Sequence, residues 1–423
     1  MNYEQMLKEL EQIPMFGNAA GLSNLSAYLE YLGHPEESFR VIHVAGTNGK
    51  GSVCAFMESV LREAGYHTGL FTSPHLVHVN ERIRLDFAAC SEEKMAEAYT
   101  KVKKLIENRE SLGLKMLTYF EVLFLLAMLV FEKEKPDYCI IETGLGGRLD
   151  ATVLTKPVLS VITSISLDHT AILGDSIEEI AAEKAGILKK DVPAVVFREN
   201  ERAYQVIEQI AQQIGAPIYP VYPSDAHIFE KNVNYIDFSY KNRYYKNDML
   251  RVNTFALYQV YNACLAATAL HLADDLISDD EMARGILGMS WEGRMEQLLP
   301  GIFVDGAHNP GAMERIRQTM QGISKDWTLL FAVCQDKDYQ AMIDILSKTA
   351  WKKIIVVHFQ GSRAAAVGAI AEEFKKRVSC EVVSLNDVPE AIKQIRQMNE
   401  TPALCLGSLY LVGEIKSICK RLT

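Results

Sequence analysis

The segment His43-Val44-Ala45-Gly46-Thr47-Asn48-Gly49-Lys50-Gly51-Ser52 brings three glycines, a lysine and a hydroxyl close together. Glycine permits left-handed turns and close backbone approach, so such a stretch aims N–H groups at an anion, and the positive end of a following helix adds to the field. The anion that suits this chemistry is phosphate. Lys50 would meet the outer phosphates of a nucleotide, and Ser52 would ligate or orient Mg²⁺. The strict phosphate-loop pattern is not met, because Val44 stands where its first glycine would be and Gly51 follows the lysine. The competing reading is a glycine-rich turn that only caps a helix.

Four further sites have residue types suited to chemistry. Glu142 closes the apolar run Tyr138–Ile141 and precedes Thr143-Gly144-Leu145-Gly146-Gly147-Arg148-Leu149-Asp150. An acid at the carboxyl end of a parallel strand faces the ligand crevice, and a carboxylate there suits Mg²⁺; a capping or salt-bridged glutamate is the alternative. His169 also follows a strand, but imidazole is a poor match for Mg²⁺, and the residues alone favour a structural histidine. Lys184, in Ile180–Ile187, reads as a solvated lysine near a helix C-terminus. Asp305-Gly306-Ala307-His308-Asn309-Pro310 follows a strand where ligand-facing loops are expected. A turn whose Asn-Pro opens a helix accounts for it equally simply.

The elements that must position these residues read as α/β. A β-branched run at 41–45 enters the glycine-rich turn, and a helical pattern follows from Ser52 to Ala64. The alternation predicts strands near 68–71, 138–142 and 158–162 and helices near 91–109, 118–133 and 176–188, a largely parallel sheet. Residues 226–257, rich in aromatic and turn residues, predict a short antiparallel excursion, with helices near 259–273 and 279–288 after it. A second doubly wound series follows, with strands near 302–304, 328–333, 353–357, 381–384 and 403–406. The turns and proline between Gly288 and Gly301 place a boundary there, dividing the chain into 1–290 and 295–423.

The chain has 423 residues, 48% of them hydrophobic, enough for two or three domains. Its formal charge of −10, without a Lys/Arg block, argues against nucleic acid or anionic lipid as a partner. Eight scattered cysteines without a C-x-x-C pair are expected to be reduced and mostly buried. The N-terminus lacks the basic-then-apolar order of a secretory signal, so a cytoplasmic location is expected. The longest apolar run, Val122–Phe131, is about half a membrane span and reads as a buried helix.

The ordered blocks HVAGTNGKGS, SPHL with NERIR, TYFE, ETGLGGRLDAT, ITSISLDHT, EKAGI, WEGR, DGAHNP, DKD and GSLYLV, colinear from residue 41 to 412, resemble the folylpolyglutamate synthase/dihydrofolate synthase family of the Mur ligase superfamily. The resemblance implies an N-terminal phosphate-loop ATPase domain with a mostly parallel sheet and a smaller, Rossmann-like C-terminal domain. It implies Ser73, Glu142 and His169 as metal ligands, a carbamate on Lys184, and nucleotide contacts from Thr47 to Ser52 and from Asn262, Arg294 and Asp305. Lys184, Lys50, His308 and Asp305 would be catalytic, and His75, Thr118, Phe120 and Ser408 would touch substrate. An apolar helix start explains Thr118 to Phe120 equally well. Arg294 would act across the domain boundary in the manner of an arginine finger. One stretch departs from the family: Phe255 to Tyr261 lacks the glycine and histidine of many relatives.

The implied cofactors are ATP and two Mg²⁺ ions, with K⁺ as a further cation; the substrates are L-glutamate and a folate or dihydropteroate, and a monomer is expected. The reaction would pass through an acyl phosphate, made by γ-phosphoryl transfer to the acceptor carboxylate and then attacked by the glutamate amine. Rival readings are a Mur-type ligase acting on a peptidoglycan precursor and a nucleotide-binding switch without acceptor chemistry. SPHL, NERIR and GLGGRLDAT argue against the first, and DGAHNP and Lys184 against the second.

Overall fold

The computed structural model describes residues 1–15, 21–323, 326–398 and 401–421. Its first sheet contains β1 (Arg40–Ala45), β2 (Thr68–Phe71), β3 (Ile83–Leu85), β4 (Ala88–Ala89), β5 (Tyr138–Glu142), β6 (Pro157–Ile162), β7 (Ala194–Phe197) and β8 (Ile218–Val221). Their spatial order is β4-β3-β2-β5-β1-β6-β7-β8. All pairings are parallel except β2–β3 and β3–β4. β1 lies between β5 and β6, so the loops leaving all three open at one end of the sheet, where such sheets bind ligands. Every residue of β1 except Arg40 is buried, as expected for a strand covered on both faces.

Helix Lys50–Glu63 leaves the glycine-rich loop and is buried continuously from Ser52 to Leu61. On the other face lies helix Tyr119–Glu134, in which Val122 to Phe131 are all buried. The antiparallel excursion is a three-stranded sheet of β9 (Ala226–Lys231), β10 (Ile236–Lys241) and β11 (Lys246–Val252). Its apolar face shares a core with helix Leu257–Ala273.

The second sheet contains β12 (Arg294–Leu299), β13 (Ile302–Asp305), β14 (Thr328–Phe331), β15 (Lys353–Val357), β16 (Glu381–Leu385) and β17 (Ala403–Leu406), in the order β12-β13-β17-β14-β15-β16. Only β12 runs antiparallel to its neighbour. The segment in which the sequence places the boundary, 288–301, therefore contains an edge strand. Gly301, at φ 77°, makes the turn that folds this strand back on β13 and sets Arg294 opposite Asp305.

The predicted strands at 68–71, 138–142, 353–357 and 403–406 agree with the structure, whereas β7, β8 and helix Glu201–Ile214 had no counterpart in the sequence reading. All eight cysteines are free, and only Cys380 is not buried. Among the described residues no helix is long and apolar enough to cross a membrane.

Candidate active site

The turn after β1 has two glycines that no other residue could replace without strain. Gly46 has φ 151°, and a Cβ there would lie 1.8 Å from Thr163 Oγ1; Gly49 has φ 89°, and a Cβ there would lie 2.6 Å from Asn262 Oδ1. The loop is pinned to the end of β6, where Thr47 N donates to Ser164 O (2.8 Å) and Thr163 Oγ1 to Asn48 O (2.8 Å). Charge alone suggests an exposed Lys50, but it is half-buried at the first position of its helix. Its Nζ curls back to donate to Gly46 O (3.0 Å) and Thr47 O (3.3 Å). Gln259 links the loop to the next helix, donating to Ser52 Oγ (3.2 Å) and accepting from Asn262 Nδ2 (2.8 Å).

Glu142, at the end of β5, is 4% exposed and accepts one hydrogen bond, from Ser73 N (3.0 Å). Burial pushes its pKa up, and Lys50 and the Ser73 N–H oppose the rise. A buried carboxylate with a spare oxygen and no ion pair among the described residues fits a divalent cation. Ser73 and His169 line the same space, although His169 is exposed, with its Nε2 3.9 Å from Asp168 Oδ2.

Lys184 is not a solvated helix lysine. It is 4% exposed, and its Nζ donates to Gly46 O (2.9 Å), the carbonyl that also holds Lys50. Burial, reinforced by the charge of Lys50, lowers its pKa to about 7. The Gly144–Gly147 turn lies on this helix end so closely that a Cβ on Gly147 would be 2.7 Å from Glu183 O. Asp150 holds the turn from below, accepting from Gly144 N and Leu145 N (both 2.9 Å).

The second sheet supplies the opposite wall. Asp305 is 3% exposed and accepts from Met295 N (3.0 Å), Ala307 N (2.8 Å) and Tyr258 Oη. His308 Nδ1 lies 2.7 Å from Gly306 O, so it is the protonated nitrogen, and Nε2 has a free lone pair. Burial and Lys337 lower the pKa of His308 to about 4, which keeps the ring neutral.

Asp168 joins the two walls. It accepts from Lys337 Nζ (2.7 Å) and Asn309 Nδ2 (2.9 Å), and its Oδ2 lies 3.7 Å from His308 Nε2. Burial alone would raise its pKa, but Lys337, His169 and His308 outweigh burial and hold it well below the usual carboxylate range. Asn309 and Asn48 exchange amide hydrogen bonds across the same gap at 3.0 and 3.1 Å.

A cleft results, lined by Thr47 to Ser52, Ser73, Glu142, His169, Lys184, Asn262, Arg294, Asp305 and His308. Four expected substrate contacts do not line it. Thr118 N-caps helix Tyr119–Glu134 in a capping box with Glu121, and Ser408, 2% exposed, N-caps helix Leu409–Lys420. His75 Nδ1 accepts from Arg82 Nε (2.9 Å). Phe120 packs on Phe71 and blocks any side chain at Gly144. Sequence reading missed Asp168, Lys337, Asn309, Gln259 and Tyr258. The signals were weak: Asp168 adjoins a singled-out histidine, and Lys337 lies in the DKD block.

A phosphate-facing loop on one α/β sheet and a polar loop on a second, closing on one cleft, define a nucleotide-dependent enzyme of the two-sheet ligase type. The family model for the Mur ligase middle domain matches residues 44–270, and that for the Mur ligase glutamate ligase domain matches residues 293–408. The chain belongs to the Mur ligase family and, within it, to the folylpolyglutamate synthase/dihydrofolate synthase group. The dihydrofolate synthase/folylpolyglutamate synthase of Bacillus subtilis is 36% identical over 417 residues, covering 96% of each chain. The structure of Escherichia coli FolC in complex with DHPP and ADP matches at a TM-score of 0.88 and 28% identity, covering 100% of this chain and 98% of that one. A bifunctional folylpolyglutamate synthase/dihydrofolate synthase with Mn, AMPPNP and L-glutamate bound matches at 0.84 and 28%, covering 99% and 98%.

Proposed function

We propose that this chain joins L-glutamate to the carboxylate of a folate or dihydropteroate at the expense of ATP, through an acyl phosphate. The observation that carries the reading is the placement of Lys184, a buried amine, in one cleft with the phosphate loop, Glu142 and the Asp305–His308 loop. A nucleotide switch has no need of that second wall, and kinship with folate ligases argues against a peptidoglycan substrate.

The loop N–H groups and Lys50 would cradle the β- and γ-phosphates, with Asn262 and Arg294 beside the nucleotide. Ser73, Glu142 and His169 would hold a divalent cation, which supplies neutralising charge to the phosphates. The acceptor carboxylate attacks the γ-phosphorus and ADP leaves; the glutamate amine then attacks the acyl carbon and phosphate leaves. His308 Nε2 has the free lone pair to take the amine proton, and Asp168 is placed to stabilise the resulting imidazolium. Closure of the two walls would exclude the water that would otherwise hydrolyse the acyl phosphate.

Lys184, with a pKa of about 7, exposes a neutral amine near neutral pH, and a neutral amine adds CO₂ to give a carbamate and a proton. The product is a long carboxylate suited to a second Mg²⁺. The domain division at 290–295, a monomeric state, a cytoplasmic location and a role for K⁺ belong to the same reading. A cleft completed within one chain and eight free cysteines support the monomer and the location, whereas K⁺ rests on the resemblance. The test is glutamate-dependent ADP release with each acceptor offered separately, with mass spectrometry of the product. No ADP release with either acceptor would overturn the reading.

A further inference from the structure

Of all the arginines and lysines described, the fold buries two side chains, Lys184 and Arg82. Lys184 is accounted for above; Arg82 is not. It is 8% exposed and is the last residue of the 3₁₀ turn Val79–Arg82. Its Nε donates to His75 Nδ1 (2.9 Å), and its guanidinium lies 5.7 Å from the Tyr119 ring centroid. Among the described residues no carboxylate forms an ion pair with it, and its two terminal nitrogens donate no hydrogen bond to them.

Glu81, the neighbouring acid, is fully engaged. Its oxygens accept from Leu76 N, Val77 N and His78 N (2.7–3.1 Å), which shapes the loop and leaves nothing for Arg82. Tyr119, Glu142, Tyr410 and Glu81 favour its charge through space, but neither carboxylate forms an ion pair with it. A guanidinium does not discharge by losing its proton, so a buried one without a counter-ion is a standing cost that a bound anion would relieve.

The second wall closes over this point. Leu76, beside His75, packs on helix Leu409–Lys420 so tightly that a Cβ on Gly413 would lie 2.5 Å from Leu76 O. The free fork of Arg82 therefore lies between the walls, oriented by His75, where a planar carboxylate can be held by two parallel hydrogen bonds.

We propose that Arg82, oriented by His75, binds a non-reacting carboxylate of the incoming amino acid at the junction of the two sheets. The proposal rests on the ligase reading and adds a residue to it. Apparent KM values for L-glutamate, acceptor and ATP in the wild type and in Arg82→Gln and Arg82→Lys test it. Glutarate, a dicarboxylate without an amine, serves as a binding probe by its effect on the Tm of the ADP-bound protein.

Arg82→Gln is expected to raise the glutamate KM at least about tenfold while leaving the ATP KM within about twofold, and to abolish the glutarate-induced rise in Tm. Arg82→Lys, which keeps the charge but loses the fork, is expected to show a smaller rise in glutamate KM and carries the test if the glutamine variant does not fold. An unchanged glutamate KM overturns the proposal, and so does a rise confined to the acceptor KM, which would give the site to the acceptor's carboxylate. A wild type that releases no ADP would refute the ligase reading, and the glutarate shift would still decide the site.

Discussion

The two walls of the cleft treat buried charge in opposite ways. On the second sheet Asp305 already takes three donors. On the first, Glu142 takes one backbone N–H, Arg82 one imidazole and Lys184 one carbonyl, and each is nearly inaccessible to water. Buried charge left unsatisfied is costly, and folds keep it where ligands complete it. The first wall is therefore a receiving surface and the second a preassembled scaffold. Asp168, whose own partners come from the second wall, ties the two together.

The comparison is broken most forcefully at Lys184. If its amine is a receiver for CO₂, Lys184→Ala should lose turnover on the order of 100- to 1,000-fold, the scale of removing a preorganised group at a reacting centre. Lys184→Arg should fail as well, because it keeps positive charge where a carboxylate is needed. Stability should move the other way. The pKa of about 7 lies below that of an unfolded lysine, so the unfolded chain binds more protons between about pH 7 and 10, and the folded protein gains stability as pH rises through that window. In CO₂-depleted buffer Lys184→Met should therefore melt higher than the wild type at pH 6, with the gap shrinking toward pH 10. A Tm difference independent of pH would contradict the assignment.

Glu142→Gln sharpens the same contrast on the metal side. The amide keeps the shape and the contact with Ser73 N but removes the anion, so affinity for Mg²⁺ or Mn²⁺ should fall at least roughly 10- to 100-fold, while metal-free nucleotide still binds. Unchanged activity at low Mg²⁺ would show that Glu142 does not hold the metal.

The tie between the walls is expected to matter less. Asp168→Asn and Lys337→Met, singly and together, should give a coupling of about 1–3 kcal/mol in transition-state stabilisation, as for contacting charged residues. Additive effects would mean that the ion pair is incidental to the chemistry.

Much of the receiving wall could be read from sequence, because glycines and acids at strand ends are local signals. The loop Gly46–Ser52 and Glu142 stand where the strand-turn-helix reading puts them. The burial of Lys184 was not local information. It arises because the Gly144–Gly147 turn packs onto the last turn of its helix, a contact between segments some forty residues apart. Asp168 and Lys337 were hidden for the same reason: neither belongs to a motif whose chemistry is evident until two sheets bring them together. In the fold, β12 was obscured by the turn residues around it, since an edge strand needs only one partner to form.

The smallest expected effect concerns Thr118, where a structural and a substrate-binding role still compete. Its hydroxyl accepts from Glu121 N (3.4 Å) and donates to Glu121 Oε2 (2.8 Å), and Thr118 N donates to the same Oε2 (2.7 Å). A side chain so engaged has little left for a ligand, which places Thr118 with the preassembled scaffold although it belongs to the first half of the chain. As a cap alone, Thr118→Ala should cost about 1 kcal/mol of stability, Thr118→Asn should restore most of it, and the acceptor KM should stay at its wild-type value in both. If the hydroxyl also meets substrate, the asparagine variant should recover its Tm and still show a raised acceptor KM, because capping needs only an acceptor near Glu121 N whereas a ligand contact needs this hydroxyl in this place. Measuring Tm and acceptor KM on the same two variants separates the roles, and a KM that follows Tm in both would leave Thr118 wholly with the scaffold.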